Sequence, residues 1–269
     1  MKKRIIYIQS ENYKMKLIIL EPKKRNGLIP GILWIHGGGY MLGSASTVYR
    51  SGGKSIAKRF DSTVISPEYR LAKKAPYPAA LNDCYAALEY MWDNADILGI
   101  DKNKILVGGV SAGGGLAAAI CIYARDKGKI KIAMQMPLYP MIDCNDTESS
   151  KDNHGKIWNT KRNHWGWKHY LGDLYGTGNI PPYASASRET NYSNLPPCYT
   201  YVCEGEPFYS ETIKYIKNLQ NAGVNAKIDI YPGNVHAFDM FCFWKKSAKE
   251  AKRNRLIAFD EIINGTNQK

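Results

Sequence analysis

Short apolar runs recur along the chain at residues 30–36, 62–67, 104–108, 130–136, 199–203 and 226–231, each ending in a turn that contains glycine or proline. Helical stretches lie between most of them, at 46–59, 79–95, 112–124 and 208–222, and a basic one at 246–263 closes the chain. In the 79–95 stretch Ala79, Ala80, Cys84, Leu88 and Met91 fall mostly three to five residues apart, the spacing of an amphipathic helix. Apolar strands that alternate with helices imply a mainly parallel sheet covered on both faces, because each parallel crossover lays a helix on the sheet. Two further β-like runs, 4–9 and 15–20, precede this pattern. The rhythm fails once. Residues 143–195 are polar, carry Trp158, Trp165, Trp167, Tyr170 and Tyr175, and end in Pro196-Pro197, so they read as an insertion. With 269 residues, one large domain bearing that insertion is the economical organisation for 1–269.

Composition narrows the partners. Lys and Arg number 37 against 24 Asp and Glu, a formal net charge of +13. The cations are scattered, and the densest runs, Lys2-Lys3-Arg4, Lys23-Lys24-Arg25 and 245–255, do not interleave with aromatics as nucleic-acid modules do. The charge therefore reads as a solvated surface with no nucleic-acid partner. Six cysteines lie far apart without a C-x-x-C pair, which removes zinc-type and redox-type spacing and suits reduced thiols. The apolar start Ile5-Ile6-Tyr7-Ile8 is cut short by Gln9, Ser10, Glu11 and Asn12, so no secretory segment is expected. No run reaches the length of a spanning helix. The expectation is a cytoplasmic protein with no membrane partner; the sequence is silent on oligomeric state.

The chemistry concentrates at two glycine-rich turns. Gly109-Val110-Ser111-Ala112-Gly113 lies between an apolar strand and an alanine-rich helix. A tight strand-to-helix elbow pushes a serine hydroxyl out at the sheet edge and needs glycine where a side chain would collide. A nucleotide-binding turn would carry G-x-G-x-x-G or G-K-S/T, and neither is present. His36-Gly37-Gly38-Gly39-Tyr40 follows the strand at 30–36 and leaves backbone N–H groups uncovered, as an oxyanion hole requires. Gly38 and Gly39 are the candidate donors, with the N–H of Ala112 as a third. Serine needs a base. Of five histidines, His36 belongs to the glycine loop and His154, His164 and His169 to the insertion, whereas His236 follows a late strand. The orienting acid should lie between Ser111 and His236. Glu206 follows one strand and precedes a helix, and Glu204, two residues earlier, is its rival.

Together these pieces resemble the hormone-sensitive-lipase-like family of α/β-hydrolases, of the bacterial acetyl esterase and carboxylesterase type. The matching segments are His36-Gly37-Gly38-Gly39-Tyr40, Tyr69-Arg70-Leu71-Ala72 through Pro76 to Asp83, Ser111-Ala112-Gly113-Gly114, Glu206-Pro207-Phe208 and His236-Ala237-Phe238, in the family's order. The resemblance implies an α/β-hydrolase fold with a mostly parallel eight-stranded sheet, helices on both faces and a small cap supplied by 143–195. It implies hydrolysis of short-chain, acetyl-type esters by Ser111, Glu206 and His236 through an acyl-enzyme, without metal or organic cofactor. The partner is then a small-molecule ester, and Tyr40, Trp158 and Trp165 are candidate pocket residues. An amide or formamide hydrolase uses the same machinery, and a binding protein that has lost catalysis shares the fold. Three departures stand out: Val110 replaces the usual aspartate before the serine, Glu206 replaces an aspartate in the acid motif, and only 35 residues precede His36, which implies a more open site.

Overall fold

The computed structural model describes residues 1–265. The chain opens with a hairpin, β1 (Lys2–Ser10) and β2 (Tyr13–Glu21), joined at Glu11-Asn12, where Glu11 takes a left-handed φ of 49°. Along β1 half-buried and exposed residues alternate, and its position at the sheet edge explains how it tolerates Lys2, Lys3 and Arg4. β3 (Ile29–Ile35), β4 (Thr63–Pro67), β5 (Ile100–Val110), β6 (Met134–Leu138), β7 (Cys198–Cys203) and β8 (Ala226–Tyr231) complete one eight-stranded sheet in the order β1-β2-β4-β3-β5-β6-β7-β8. β1 and β2, and β2 and β4, run antiparallel, and every pair from β4 onward is parallel. The expected mostly parallel, eight-stranded α/β-hydrolase sheet is therefore present.

β3, β4, β6 and β7 are buried along their whole length, so both faces must be covered. In β3 the alternation is explicit. Leu33 and Ile35 join a cluster with α2 (Ala79–Asp93), a short helix α3 (Ala95–Leu98) and α4 (Ala112–Lys127), while Ile32 and Trp34 face a second cluster on the opposite side. That second face is covered by α1 (Gly53–Arg59) and a later helix at Lys246–Phe259. No helix among the described residues is long and apolar enough to cross a membrane.

Three expected boundaries shift for local reasons. The stretch 46–59 is a 3-10 turn at Ala45–Tyr49 and then α1, because the chain turns at Gly52 with φ 128°, where a Cβ would meet the Arg255 guanidinium at 2.7 Å and the Trp34 indole at 2.9 Å. The strand expected at 130–136 begins only at Met134, whose first partner is Leu106; Ile130 and Ile132 are buried in the helix-side cluster without joining the ladder. The C-terminal helix ends at Phe259 and widens into a π-turn over Asp260–Asn264.

The segment 143–195 holds one helix, α5 (Thr160–Leu171), among loops and 3-10 turns. Asn159 caps it by accepting the Arg162 N–H at 3.0 Å. Trp167, Tyr170, Leu171, Tyr192 and Leu195 are buried in the same cluster as α2 and α4, so the segment is packed onto the body. α6 (Tyr209–Asn221), α7 (Phe238–Phe241) and α8 (Lys246–Phe259) follow.

Candidate active site

The turn from β5 into α4 holds Ser111 in a strained backbone, with φ 57° and ψ −123°. A non-glycine residue there costs on the order of 1–3 kcal/mol and persists only where its surroundings fix it. They do so here. The Ser111 N–H donates to Leu138 O at 3.0 Å, and Ser111 O accepts the Met141 N–H at 3.1 Å. The flanking glycines are required by space: a Cβ on Gly109 would lie 2.4 Å from Gly113 O, and one on Gly113 would lie 2.3 Å from Ile35 O. The G-x-S-x-G spacing is thus the imprint of a helix start driven against the end of β3.

His236 lies in the loop between β8 and α7, followed by Ala237 in a left-handed conformation at φ 56°. Its Nε2 is 2.8 Å from Ser111 Oγ and its Nδ1 is 2.5 Å from Glu206 Oε2. With Nδ1–H donating to the carboxylate, Nε2 is left to accept the serine O–H. Glu206 sits just past β7 with its other oxygen accepting the Cys203 N–H at 3.0 Å. All three side chains are buried, Glu206 completely. Burial raises the Glu206 carboxyl pKa above the ordinary range, and the neighbouring His236 and its hydrogen bond work against that rise. Glu204 points to solvent, so the loop brings Glu206 and not its rival onto the imidazole. The extra methylene of glutamate is accommodated by a chain whose last β7 residue, Cys203, lies three residues before the acid.

The loop after β3 forms the facing wall. Gly38 and Gly39 adopt φ 125° and 59°, conformations that L side chains rarely take. Gly38 O closes the turn by accepting from Met41 and Leu42, both at 3.0 Å, and the Gly38 and Gly39 N–H groups make no hydrogen bond among the described residues. Ala112 begins α4, where first-turn N–H groups lack intrahelical acceptors. Gly38 and Gly39 line the same cavity as Ser111, and Ala112 follows Ser111 directly at the start of α4. That cavity has a volume of about 290 Å³ and is lined mainly by apolar groups, among them Leu42, Val110, Ile157, Trp158, Met240 and Phe241. Val110, which stands where the resemblance implies an aspartate, makes this wall apolar.

Of the three expected pocket aromatics only Trp158 lines the cavity. Its ring lies 6.5 Å from that of His236 and against Gly39, where an added Cβ would meet it at 2.0 Å. Tyr40 is corrected to a core residue: it stacks on Tyr170 at 3.9 Å and donates to Met141 O at 2.8 Å, beneath the site. Trp165 is corrected to a surface residue on the outer face of α5, 39% exposed and covered by Lys73 at 5.0 Å. His154, His164 and His169 all stay at the surface of the same segment, and His164 pairs with Asp146 at 2.7 Å.

Several residues around His236 had no role assigned to them from the sequence. Phe208 and Tyr139 present ring edges to the imidazole at 5.0 and 5.2 Å. Tyr139 and Tyr201 each donate a 2.9 Å hydrogen bond to the fully buried Asp239, three residues after His236, and Arg255 of α8 reaches the same carboxylate at 3.6 Å. Asp239 thus pins the loop that carries the imidazole to β6, β7 and α8. Glu211 of α6 accepts the Ile142 and Asp143 N–H groups at 2.7 and 3.1 Å, and burial raises its pKa well above the usual carboxylate range. The only hint of these roles in sequence is proximity to the motifs. Among the described residues no group of three His, Cys, Asp or Glu could hold a metal.

The α/β-hydrolase-fold family profile matches residues 32–240. An arylesterase of Saccharolobus solfataricus is 35% identical over 240 residues, covering 87% of this chain and 76% of that protein. Esterase LipI of Mycobacterium tuberculosis is 31% identical over 238 residues, covering 88% and 74%. Among solved structures, a bacterial heroin esterase superposes with a TM-score of 0.92 at 32% identity, covering 97% of this chain and 84% of that one. A Pyrobaculum calidifontis esterase gives 0.89 at 30% identity, covering 97% and 85%. With the elbow serine, the glycine loop and this breadth of match, the chain belongs to the hormone-sensitive-lipase-like family of α/β-hydrolases.

Proposed function

We propose that the protein hydrolyses short-chain carboxylic esters, with Ser111 as nucleophile, His236 as general base and acid, and Glu206 as the group that orients the imidazole. Ester hydrolysis is the activity named for the relatives above. The observation that carries the finer reading is the continuous pair of contacts, 2.8 Å from Ser111 to His236 and 2.5 Å from His236 to Glu206.

Ser111 Oγ attacks the ester carbonyl while its proton passes to His236 Nε2. The carbonyl oxygen gains negative charge, which the N–H groups of Gly38, Gly39 and Ala112 receive; fixed donors in a dry site contribute a few kcal/mol there, roughly 3–4 for one donor. The imidazolium returns its proton to the departing alcohol, leaving the acyl group on Ser111, and water deprotonated by His236 releases the acid. Glu206 holds the tautomer and balances the transient cation. A cavity of about 290 Å³ is at the small end for ligand sites and favours short acyl groups. The segment 143–195 acts as the cap by contributing Ile157 and Trp158 to its walls. All six cysteines are free thiols, which suits a reducing compartment, and on that ground we place the protein in the cytoplasm.

A series of p-nitrophenyl esters from acetyl to octanoyl tests this reading. Turnover should fall as the chain lengthens and vanish in Ser111→Ala. Equal activity in that variant would discard the mechanism, and faster cleavage of N-formyl anilides than of acetyl esters would move the reading to amides.

A further inference from the structure

The mouth of the cavity opens beside an apolar surface. Leu42 on the glycine loop and Phe241 at the end of α7 both line the cavity yet remain 55% and 50% exposed. The chain continues through Phe243 and Trp244, 59% and 60% exposed, with their rings edge-on at 5.2 Å. Two large apolar side chains at the opening and two more within three residues of Phe241, all standing half or more in water, form a surface that covering by an apolar phase would stabilise.

Cations follow immediately. Lys245, Lys246, Lys249, Lys252 and Arg253 lie at the start of α8 and in its first two turns, with Glu250 the one acidic residue among them. None of the five cations forms an ion pair among the described residues. Asp239, close by in sequence, is buried and already engaged with Tyr139, Tyr201 and Arg255.

We propose that this surface docks the protein on an anionic lipid surface, with Phe243 and Trp244 entering the interfacial layer and the lysines meeting the head groups. Aromatic side chains favour the boundary between hydrocarbon and water, and clustered cations are drawn to anionic leaflets. The two features are adjacent here, and each covers what the other leaves unmet. A second copy of the chain would set five cations against five. A nucleic acid would satisfy the cations but leave the rim of Leu42 and Phe241 in water. Docking in this orientation turns the cavity mouth toward the lipid, where apolar esters concentrate. The contact is peripheral, so it revises the sequence expectation of no membrane partner without invoking a spanning helix. It does not depend on the proposed hydrolysis.

The test is cosedimentation of the full chain with phosphatidylcholine vesicles and with vesicles in which about a third of that lipid is phosphatidylglycerol. Binding to the anionic vesicles should be at least about tenfold tighter and should weaken as salt is raised. Lys245→Glu with Lys246→Glu, and separately Phe243→Ser with Trp244→Ser, should each weaken it about tenfold or more while the circular dichroism spectrum and soluble-ester turnover stay unchanged. Equal binding to both vesicles overturns the proposal. So does unaltered binding by the aromatic variant, or competition by polyuridylate with an aromatic-independent affinity, since both mark a general polyanion patch. A shift from dimer to monomer in the aromatic variant, read by sedimentation velocity, would instead make the face a subunit interface. Vesicle binding without ester cleavage would keep this surface and remove the proposed chemistry; the reverse would do the opposite.

Discussion

Two histidines stand at the same edge of the sheet, one after β3 and one after β8, and both are buried. His36 stacks on Tyr69 at 4.1 Å, donates from Nδ1 to Gly37 O at 2.8 Å and leaves its buried Nε2 without a partner. Burial lowers its pKa to about 4, so at neutral pH it is an uncharged structural ring. His236 is buried to the same degree but has a carboxylate on one nitrogen and a serine hydroxyl on the other. The comparison teaches that burial alone makes a histidine inert. In the mechanism proposed above, the paired acid, itself buried, is what distinguishes the second ring from the first.

The comparison breaks first at the base. His236→Ala should lower kcat for an acetyl ester by about ten-thousandfold or more, whereas folded His36→Gln should stay within about tenfold of the wild-type rate. Next comes the acid. Glu206→Gln keeps the shape but offers an amide where Nδ1–H needs a full negative charge, so kcat should drop by about a hundredfold to ten-thousandfold with KM little changed. A Glu206→Gln enzyme as active as the wild type would mean that the carboxylate is ornamental.

Stability effects sharpen the contrast further. Asp239→Ala strands the Arg255 guanidinium in the core, and urea unfolding should show a loss of about 3–5 kcal/mol, accompanied by a lower kcat as the His236 loop loosens. Loss of stability with an unaltered kcat would separate that network from the imidazole. For His36 the folded pKa lies below the unfolded value of 6.5, so the unfolded chain binds a proton that the folded chain refuses as pH falls from about 6.5 to about 4. Folding should weaken across that window by roughly 3 kcal/mol, and the slope should flatten in His36→Gln. Glu211 has the opposite sign. Its folded pKa is raised, so its stability contribution is present below the unfolded value near 4.5 and is lost as pH rises toward the folded value. Glu211→Gln, which still accepts the two loop N–H groups, should therefore be at least as stable as the wild type at neutral pH, measured by thermal unfolding.

Much of this arrangement was legible in residues alone because close packing leaves marks that spacing reveals. Gly109 and Gly113 are where they are because backbone oxygens of neighbouring elements occupy the space of a Cβ. Apolar runs such as 30–36 announce strands because a parallel sheet buries both faces, whereas 226–231, at the sheet edge, is buried only at its two ends. The helix break at Gly52 and the late start of β6 were not legible, since they depend on Arg255 and Leu106, distant in sequence. Pocket membership was the least readable. Tyr40 belongs to the glycine motif and Trp158 and Trp165 to the insertion, yet one packs in the core, one lines the cavity and one stays at the surface, which the path of the folded segment decides. Asp239 carries no pattern of its own, and its partners come from β6, β7 and α8.

The central claim is that the second histidine, and not the first, makes one serine reactive. Mass-mapped labelling by a fluorophosphonate in the wild type, His36→Gln and His236→Ala addresses it directly. The account expects one phosphonate on Ser111, formed at similar rates in the wild type and His36→Gln and slowed at least about a thousandfold in His236→Ala. Labelling of Ser111 at an unchanged rate without His236, or a label on some other residue of the folded protein, would contradict it.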